Sequence, residues 1–264
     1  MNNFQPFCKV SRFMEEKLIK KSYKCDFHIH SCLSPCGDLF MSPKAIAEEL
    51  QKRNIKIAAL TDHNSSKNCP AFKLACENLG IFPIFGMEAQ SIEEVHCLCL
   101  FGDLNTAMDF SNEIYELLPN IKNIPEKTGD QVFVNDKDEI LGELEKYLIV
   151  SIPLSIEEIE QKVHKLGGLF IPAHVDRPAF SMFSQLGYIP KGNYDALEVT
   201  RIPVMVQNPF SKELEPLETY NYPLLTNSDA HYEEHIGRRT TVLEILEPIS
   251  FEAIKNAIQT KSNN

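Results

Sequence analysis

Histidines and carboxylates recur in this sequence where short apolar segments end. His28 and His30 stand two residues apart in the first segment, so on a strand both imidazoles project to the same side and can bind one ion. Similar polar groups close or follow later segments: Thr61-Asp62-His63, Gly86-Met87-Glu88, His96, Ala173-His174 and Ser228-Asp229-Ala230-His231. Each group alone has an ordinary structural explanation, such as a hydrogen-bonded core histidine or a local cap. Their recurrence predicts a metal site able to activate water for hydrolysis.

The segments that must position these groups alternate between strand and helix patterns. Apolar or alternating runs predict strands at 24–30, 55–60, 81–86, 95–101, 169–173, 195–199, 223–227 and 241–246. Polar caps and terminal glycines predict helices at 42–53, 70–79, 104–118, 156–166 and 250–259. This alternation favours an α/β fold with a mainly parallel sheet, and seven or eight such strands favour a TIM-like (β/α) barrel. In a parallel barrel the carboxyl ends of the strands meet at one face, so six of the eight histidines would share one bowl.

The expected barrel is interrupted between 103 and 154. The composition there is mixed, and Val132–Val134 with Glu139–Leu141 predict a surface hairpin. We expect an N-terminal extension over 1–22, a barrel formed by 23–102 and 155–264, and an insertion at 103–154 that covers the active site.

Composition restricts the class of protein. The 264 residues carry a formal net charge of −11, which disfavours long nucleic acids held across an open surface. No apolar run is long enough to cross a bilayer, so we expect no membrane partner. The eight cysteines contain no CxxC pair, which favours reduced thiols and a cytoplasmic location. Oligomeric state does not follow from the sequence.

The strand-end motifs resemble those of the PHP family, named for polymerase and histidinol phosphatase. The matching residues are Asp26-x-His28-x-His30, Thr61-Asp62-His63, Gly86-x-Glu88, His96, Ala173-His174 and Ser228-Asp229-x-His231. The resemblance covers about 23–102 and 166–246. It implies a distorted (β/α)7 barrel that binds two or three divalent ions, usually Zn, Mn or Fe, and hydrolyses phosphoesters.

The resemblance also implies a ligand set for each ion. The first ion would take His28, His30, Glu88 and Asp229, and the second would take Glu88, His96 and His174. The third would take His63, His231 and an acidic residue after His30. Many family members have Ser-Asp-Gly in that loop, whereas this chain has Ser34-Pro35-Cys36-Gly37-Asp38, so we expect Asp38, with Cys36 as the alternative.

Two arginines are candidate phosphate ligands. His174-Val-Asp-Arg177-Pro and Leu197-Glu-Val-Thr-Arg201 resemble a stand-alone branch related to the nucleotide 3′,5′-bisphosphate phosphatases. Arg177 and Arg201 follow the fifth and sixth strand motifs, and a guanidinium can bind phosphate oxygens bidentately. A loop ion pair is the alternative for both, and Arg238 and Arg239 are weaker candidates of the same kind.

Catalytic roles follow less directly from the motifs. Asp26 and Asp62 would accept hydrogen bonds from ligand histidines and orient their rings. His174 or His231 could protonate the leaving alcohol, although an imidazole bound to a metal is a poor acid. His164, in a helix, and His235, in a polar loop, are expected to be structural.

The leading hypothesis is a metal-dependent phosphatase that acts on a small phosphorylated metabolite, with a nucleotide as the favoured type. An exonuclease acting on short oligonucleotides and a non-catalytic, metal-stabilised PHP module are the alternatives. The acidic net charge does not exclude a small phosphate ester, because bound divalent ions would make the bowl locally positive.

Overall fold

The computed structural model describes residues 19–207 and 211–261. The predicted N-terminal extension lies outside the described residues up to position 18, and residues 20–22 already belong to the first strand. Cys8 also lies outside them, and the other seven cysteines are free thiols. No helix within the described ranges combines the length and the apolar character that crossing a membrane requires.

The chain alternates strands and helices over most of its described length. The strands are β1 Lys20–Asp26, β2 Ile57–Leu60, β3 Phe82–Gln90, β4 His96–Phe101, β5 Val132–Val134, β6 Ile140–Glu143, β7 Leu169–Pro172, β8 Leu197–Glu198, β9 Met205–Gln207, β10 Leu214–Pro216, β11 Leu224–Leu225 and β12 Thr241–Leu246. The helices are α1 Pro43–Lys52, α2 Cys69–Asn78, α3 Leu104–Leu117, α4 Pro125–Thr128, α5 Ile156–Lys165, α6 Met182–Leu186 and α7 Phe251–Gln259, with 3-10 turns at Leu217–Tyr220 and Glu233–His235.

Local sequence signals set the helix boundaries. The Ser42 side chain accepts a hydrogen bond from Ala45 N at the start of α1, and Ser155 forms a capping box with Glu158 at the start of α5. Ser250 caps α7 in the same way as Ser42 caps α1. The chain leaves α2 through Gly80, whose φ of 65° lies in the left-handed region that glycine adopts without strain. The helices predicted from these signals are therefore confirmed to within a residue or two.

Six strands form a curled, mixed sheet in the order β12-β1-β2-β3-β4-β7. β1, β2 and β3 are parallel neighbours, whereas β12 pairs antiparallel with β1, and β4 pairs antiparallel with both β3 and β7. β8 and β11 form a separate parallel pair. The fold is α/β as expected, but the sheet is less uniformly parallel than the sequence suggested.

The direction of β4 follows from the short connection before it. Only five residues separate β3 from β4, and a parallel crossover needs about a dozen or more. The turn closes through Ser91 N, which donates to Val95 O at 2.9 Å, and through Glu94, which has a φ of 60°. The hairpin places the first residue of β4, His96, opposite Gln90 at the carboxyl end of β3.

Apolar side chains fill both faces of the sheet. The concave face packs alternate strand residues such as Ile57, Ile84, Leu98 and Ile171 together with α7. The other face packs against α1, α2, α3 and α5 through a second set of buried residues: Ile46, Leu50, Phe72, Phe110 and Ile159. Glu88 and His96 have the same strand parity as Ile84 and Leu98, so they belong to the concave face.

The segment 103–154 packs on this core. Phe110 and Ile114 of α3 and Leu148 and Ile152 are buried in the same cluster as the helices of the convex face. The predicted hairpin is confirmed as β5 and β6, which pair antiparallel. Val132 of β5 packs on Cys32, two residues beyond His30. The segment is thus joined to the loop that follows β1.

Candidate metal centre

The candidate site lies at the carboxyl edge of β1, β2, β3 and β7. His28 and His30 follow β1, and this segment is held by Ile29 N, which donates to Thr61 Oγ1 at 3.1 Å, and by a parallel bridge between Ile29 and Ala230. His63 follows β2, and a parallel bridge joins it to Glu88 in β3. His96 begins β4 rather than ending it, yet it reaches the same edge because β4 runs antiparallel.

Five histidine rings surround the carboxylate of Glu88, which is only 1% exposed. Oε1 lies 2.9 Å from His96 Nδ1, 3.0 Å from His174 Nε2 and 3.3 Å from His28 Nε2. Oε2 lies 3.1 Å from His63 Nδ1 and 3.4 Å from His30 Nε2. Both oxygens therefore face imidazole nitrogens from four separate segments of the chain.

The metal-binding atoms fall into three overlapping groups, within each of which all atoms lie within 4.8 Å of one another. The groups are His28, His30 and Glu88; His63, Glu88 and His96; and His30, His63 and His231. The first matches part of the predicted ligand set. The other two divide the histidines differently from the expectation, because His63 joins Glu88 and His96, and His30 joins His63 and His231.

Asp229 adds a second carboxylate beside the first group. Its Oδ1 lies 3.4 Å from His28 Nε2 and 3.5 Å from His30 Nε2. Its backbone φ of 50° is in the left-handed region. The ring of His231 stacks on His30 with centroids 4.2 Å apart, and its side chain is 22% exposed, so it lies nearest to solvent among the histidines of the site.

Strong electrostatic coupling accompanies this packing. Burial raises the pKa of Glu88, but His96, His28 and His63 outweigh it and hold the pKa well below its usual range. Burial also raises the pKa of Asp229, but His28 and His30 outweigh it, so that the pKa lies well below its usual value. Burial lowers the pKa of His30, but hydrogen bonds to Asp229 and Glu88 raise it to about 9. The carboxylates are therefore ionised and available to bind cations.

The donor set fits divalent metal ions. His28 Nε2 and His30 Nε2 face each other at 3.1 Å, and a hydrogen bond between two such nitrogens requires that one of them carry a proton. His96 Nε2, His174 Nδ1 and His63 Nδ1 are buried without a hydrogen-bond partner, the last because its contact with Glu88 is poorly aligned. Buried polar atoms normally have partners, and imidazole with carboxylate is the donor mixture that binds zinc and related ions.

Residues behind the ligands fix the orientation of the rings. Glu198 accepts from His28 Nδ1 at 2.9 Å, and Ser34 Oγ lies 2.9 Å from His30 Nδ1 while donating to Asp62 Oδ1 at 2.7 Å. Asp62 thus reaches the His30 ring by hydrogen bonds through Ser34. Burial raises the pKa of Asp62 above its usual value.

Asp26 differs from its predicted role. Its carboxylate accepts hydrogen bonds from the backbone amides of Ser228 and Gly237, at 3.0 and 3.1 Å, and not from a histidine ring. Burial raises its pKa to about 6. Glu198 lies beside His28 instead, and the sequence-based assignment missed it because it belongs to no metal-ligand motif. Its place at the end of β8 and its position in the Leu197–Arg201 motif were the available signals.

Asp38 and Cys36, the candidates for the third ion, are not in any of the three groups, which were sought among the described residues. Asp38 Oδ1 accepts from Phe40 N at 2.8 Å in its own turn, and Asp38 N donates to His231 O at 2.9 Å. Cys36 is exposed in the same loop. The loop therefore contacts the site through the backbone hydrogen bond from Asp38 N to His231 O.

The arginines divide into two kinds. Arg177 Nη1 donates to Asp229 Oδ2 at 2.6 Å, and the side chain is 42% exposed. Arg201 is exposed in the loop after β8. Arg238 and Arg239 donate to backbone carbonyls of residues 227–229, so they brace the segment that carries Asp229.

The two remaining histidines lie outside the cluster. His164, in α5, has Nε2 2.9 Å from Asp195 Oδ2. His235 packs its ring edge-on against Tyr232. His164 thus has a structural hydrogen bond, and His235 is a packed residue of the 3-10 turn.

A sheet edge that carries histidines and two ionised carboxylates is the arrangement of a divalent-metal site. The chain belongs to the PHP domain family, whose pattern matches residues 26–175, more than half of the 264 residues. This family and the clustered histidines and carboxylates together indicate divalent metal ions as cofactors. No curated protein matches the sequence significantly.

Several solved structures share the fold. The lesion-specific endonuclease EndoQ of Pyrococcus furiosus is similar over 92% of this chain, with 20% identity and a TM-score of 0.64. This chain spans 57% of the length of that endonuclease. A proposed metal-dependent phosphoesterase from Bifidobacterium adolescentis is similar over 88% of this chain and 94% of its own, with 16% identity and a TM-score of 0.54.

Proposed function

We propose that this protein hydrolyses a phosphoester bond of a nucleotide-type substrate with the help of two or three divalent ions. The observation that carries the proposal is the convergence of His28, His30, His63, His96 and His174 on Glu88. A carboxylate placed between several imidazoles can bridge two ions. Paired ions would suit in-line displacement at phosphorus.

The proposed ligands are the residues predicted from the sequence. Glu88 would be shared between two ions, of which one would also be held by His28, His30 and Asp229 and the other by His96 and His174. His63 and His231 hold a third ion, and the acidic ligand from the Asp38 loop stays a prediction. Zn, Mn or Fe would supply Lewis acidity and a water of lowered pKa.

The protein's own side chains would orient the histidine rings and neutralise charge on the phosphate. Glu198 holds the His28 ring, and Ser34 with Asp62 holds the His30 ring, so that each presents Nε2 to the site. His231 Nδ1 lies 3.2 Å from Asp229 O, an arrangement that leaves Nε2 free to accept a proton or a ligand bond. Arg177, already beside Asp229, is placed to bind a phosphate oxygen.

Access to the site favours a small or terminal phosphate. Most of the ligand side chains are buried, and the partly exposed groups are His231 and Arg177, with Asp229 between them. A phosphate would therefore enter beside these three residues. A phosphorylated metabolite satisfies this geometry, and so does the end of a strand.

A nucleic-acid substrate is the second candidate. A structure of EndoQ with a 27-mer duplex that has an abasic lesion at the active site is similar to this chain with a TM-score of 0.62 and 19% identity. This resemblance weighs against the sequence-based expectation that long nucleic acids are unlikely partners. The net charge of −11 still favours a short or locally distorted strand over a long duplex bound along an open surface.

The test separates these substrates. The full chain, treated with chelator and then given Mn²⁺ or Zn²⁺, is assayed for phosphate release from 3′,5′-bisphosphates, AMP and histidinol phosphate. Labelled RNA, DNA and a duplex with an abasic site are incubated in parallel, with Glu88→Gln as the negative control. We expect release from the nucleotides, whereas cleaved ladders would establish the nuclease. No turnover of any substrate with either metal would overturn the proposal.

Two finer expectations belong to the same proposal. The first is that the sheet continues from β7 through β8 and β11 towards β1 as a distorted (β/α)7 barrel. Two hydrogen bonds support it: Asp195 N donates to Phe170 O at 3.0 Å, and Phe27 N donates to Asn227 Oδ1 at 3.0 Å. The second expectation is a cytoplasmic location, which the cysteine pattern favours.

A further inference from the structure

Glu198 is a buried carboxylate that bonds three separate segments of the site. It is the last residue of β8, and it is 2% exposed. Its Oε2 accepts from His28 Nδ1 and from His174 N, both at 2.9 Å. Its Oε1 accepts from Asn227 Nδ2, also at 2.9 Å. One side chain therefore ties together the loops after β1, β7 and β11.

These bonds require a group that only accepts. An ionised carboxylate has no proton to donate, so His28 must carry its proton on Nδ1, and its Nε2 lone pair then faces the ion position. That Nε2 lies 3.3 Å from Glu88 Oε1 and 3.4 Å from Asp229 Oδ1. Glu198 thereby selects the tautomer of His28 that can bind a metal.

The other two bonds reach further ligands through the backbone. His174 has a φ of 32°, an unusual value for a residue with a side chain, and the bond to its N–H holds that conformation. Asn227 lies two residues before Asp229, and its Oδ1 also accepts from Phe27 N, next to His28. Loss of Glu198 would therefore loosen ligands of two proposed ion positions together.

We propose that Glu198 is the positioning residue of the metal centre, presetting His28, His174 and the Asp229 segment before any ion binds. The inference rests on the proposed function, because it assumes that these residues hold divalent ions. Glu198 does not itself contact the ion or the substrate. Carboxylates behind a histidine ligand commonly contribute about 10- to 100-fold in metal affinity.

The chain offers a matched control next to the same strand. Asp195, just before β8, accepts from His164 Nε2 at 2.9 Å and from Phe170 N at 2.8 Å. It therefore binds a histidine ring and a backbone amide, as Glu198 does, but at the opposite end of the strand. Replacing Asp195 by Asn removes a similar charge without touching the metal centre.

The test substitutes Glu198 by Gln and by Asp. In Glu198→Gln the side chain would have one accepting oxygen, and its amide N–H groups would face donors of His28, His174 or Asn227. Glu198→Asp keeps the charge but retracts it by about 1.5 Å, the length of one C–C bond. Each full-length variant, with Asp195→Asn, is freed of metal, titrated with Mn²⁺ by calorimetry and loaded with Co²⁺ for its visible spectrum, and its melting temperature is recorded.

The expected result is a Kd for Mn²⁺ raised about 10- to 100-fold in Glu198→Gln, with an altered Co²⁺ spectrum. Glu198→Asp should be intermediate, and Asp195→Asn should retain the wild-type Kd and spectrum even if it melts lower. Unchanged binding in Glu198→Gln would overturn the inference, as would equal loss in the Asp195 control. If the wild type binds no divalent ion, the proposed function fails as well.

Discussion

Arg177 and Asp229 form an ion pair in which Nη1 lies 2.6 Å from Oδ2, while Asp229 Oδ1 faces the rings of His28 and His30. One carboxylate is thus shared between an arginine and the proposed metal ligands. The arginine side chain is 42% exposed, so solvent screens the pair and its contribution to stability is small. We propose instead that the pair presents the guanidinium of Arg177 to a phosphate bound at the metal centre.

Arg177→Ala is therefore expected to weaken substrate binding more than folding. A charge-assisted hydrogen bond contributes about 1.5–3 kcal/mol, which corresponds to a roughly 10- to 100-fold rise in KM. Arg177→Lys should recover only part of this loss, because an ammonium cannot bind two phosphate oxygens in a planar fork. The measurement is kcat and KM for Mn²⁺-loaded enzyme on a phosphomonoester, with melting temperature as a folding control.

Arg201→Ala provides the comparison. Arg201 follows β8 at the same face, but the structure leaves it exposed in its loop. We expect a smaller increase in KM than for Arg177→Ala. An equal or larger effect would show that Arg201 is the main phosphate ligand and would contradict the assignment to Arg177.

Glu88→Gln is expected to abolish both metal binding and phosphoester hydrolysis. The substitution leaves five imidazoles without the carboxylate that they surround. Removing one partner from a buried charged cluster destabilises a protein by about 3–5 kcal/mol, so the metal-free variant should also melt lower. Calorimetric titration, activity and thermal unfolding are measured on one preparation. If the wild type has no activity and Glu88→Gln unfolds easily, the result would favour a purely structural metal module.

The sequence predicted most of the histidines that cluster at the site because they follow strands, and strand ends are fixed by local pattern. His28, His30 and His63 follow parallel strands that end at one edge. His96 reached the predicted place for a different reason, since β4 is the second strand of a hairpin. The five residues before it were enough to exclude a parallel crossover, so this error in strand direction was avoidable.

The rest of the site depends on contacts that local patterns do not encode. Glu198 meets His28 across 170 positions, and Arg177 meets Asp229 across 52. The family resemblance implied Asp38 as a ligand, and this role stays a prediction; Oδ1 of its carboxylate accepts from Phe40 N in its own turn. Packing in the folded protein, and not the spacing of residues in the sequence, decides whether a side chain bonds a local or a distant partner.

Stability without metal should fall in alkaline solution and in strongly acidic solution. The folded pKa of His30 is about 9 against a usual value of 6.5, so its stabilising contribution is complete below about 6.5 and is lost as pH rises through 9. The pKa values of Glu88 and Asp229 are depressed, so their contribution is present above about 4 and is lost on further acidification. Thermal melts of chelator-treated protein from about pH 2 to about pH 10 measure this profile.

Added Mn²⁺ should reverse the alkaline limb of that profile. Ligand histidines must lose their protons to bind a metal, so the rise in melting temperature caused by Mn²⁺ should grow between pH 6 and pH 8. His164→Gln removes a histidine outside the cluster and should leave the metal-dependent rise unchanged. A rise that is independent of pH would argue against histidine ligation.

Gly129 tests whether the segment 103–154 supports the site. Its φ is 96°, and a Cβ at this position would overlap the carbonyl oxygen of Pro35 in the loop after His30. Gly187 has a φ of 79° but open space around it. Gly187→Ala should therefore show only the backbone strain of about 1–2 kcal/mol, whereas Gly129→Ala should also displace the loop that carries Ser34 and Asp38.

We expect Gly129→Ala to lower the melting temperature more than Gly187→Ala and to raise the Kd for Mn²⁺. The second effect follows because Ser34 Oγ bonds the His30 ring and Asp38 N bonds His231 O, so moving their loop disturbs two proposed ligands. Chemical denaturation and calorimetric titration of both variants give the comparison. Equal destabilisation with unchanged metal affinity would mean that the segment packs on the sheet and its helices without supporting the metal centre.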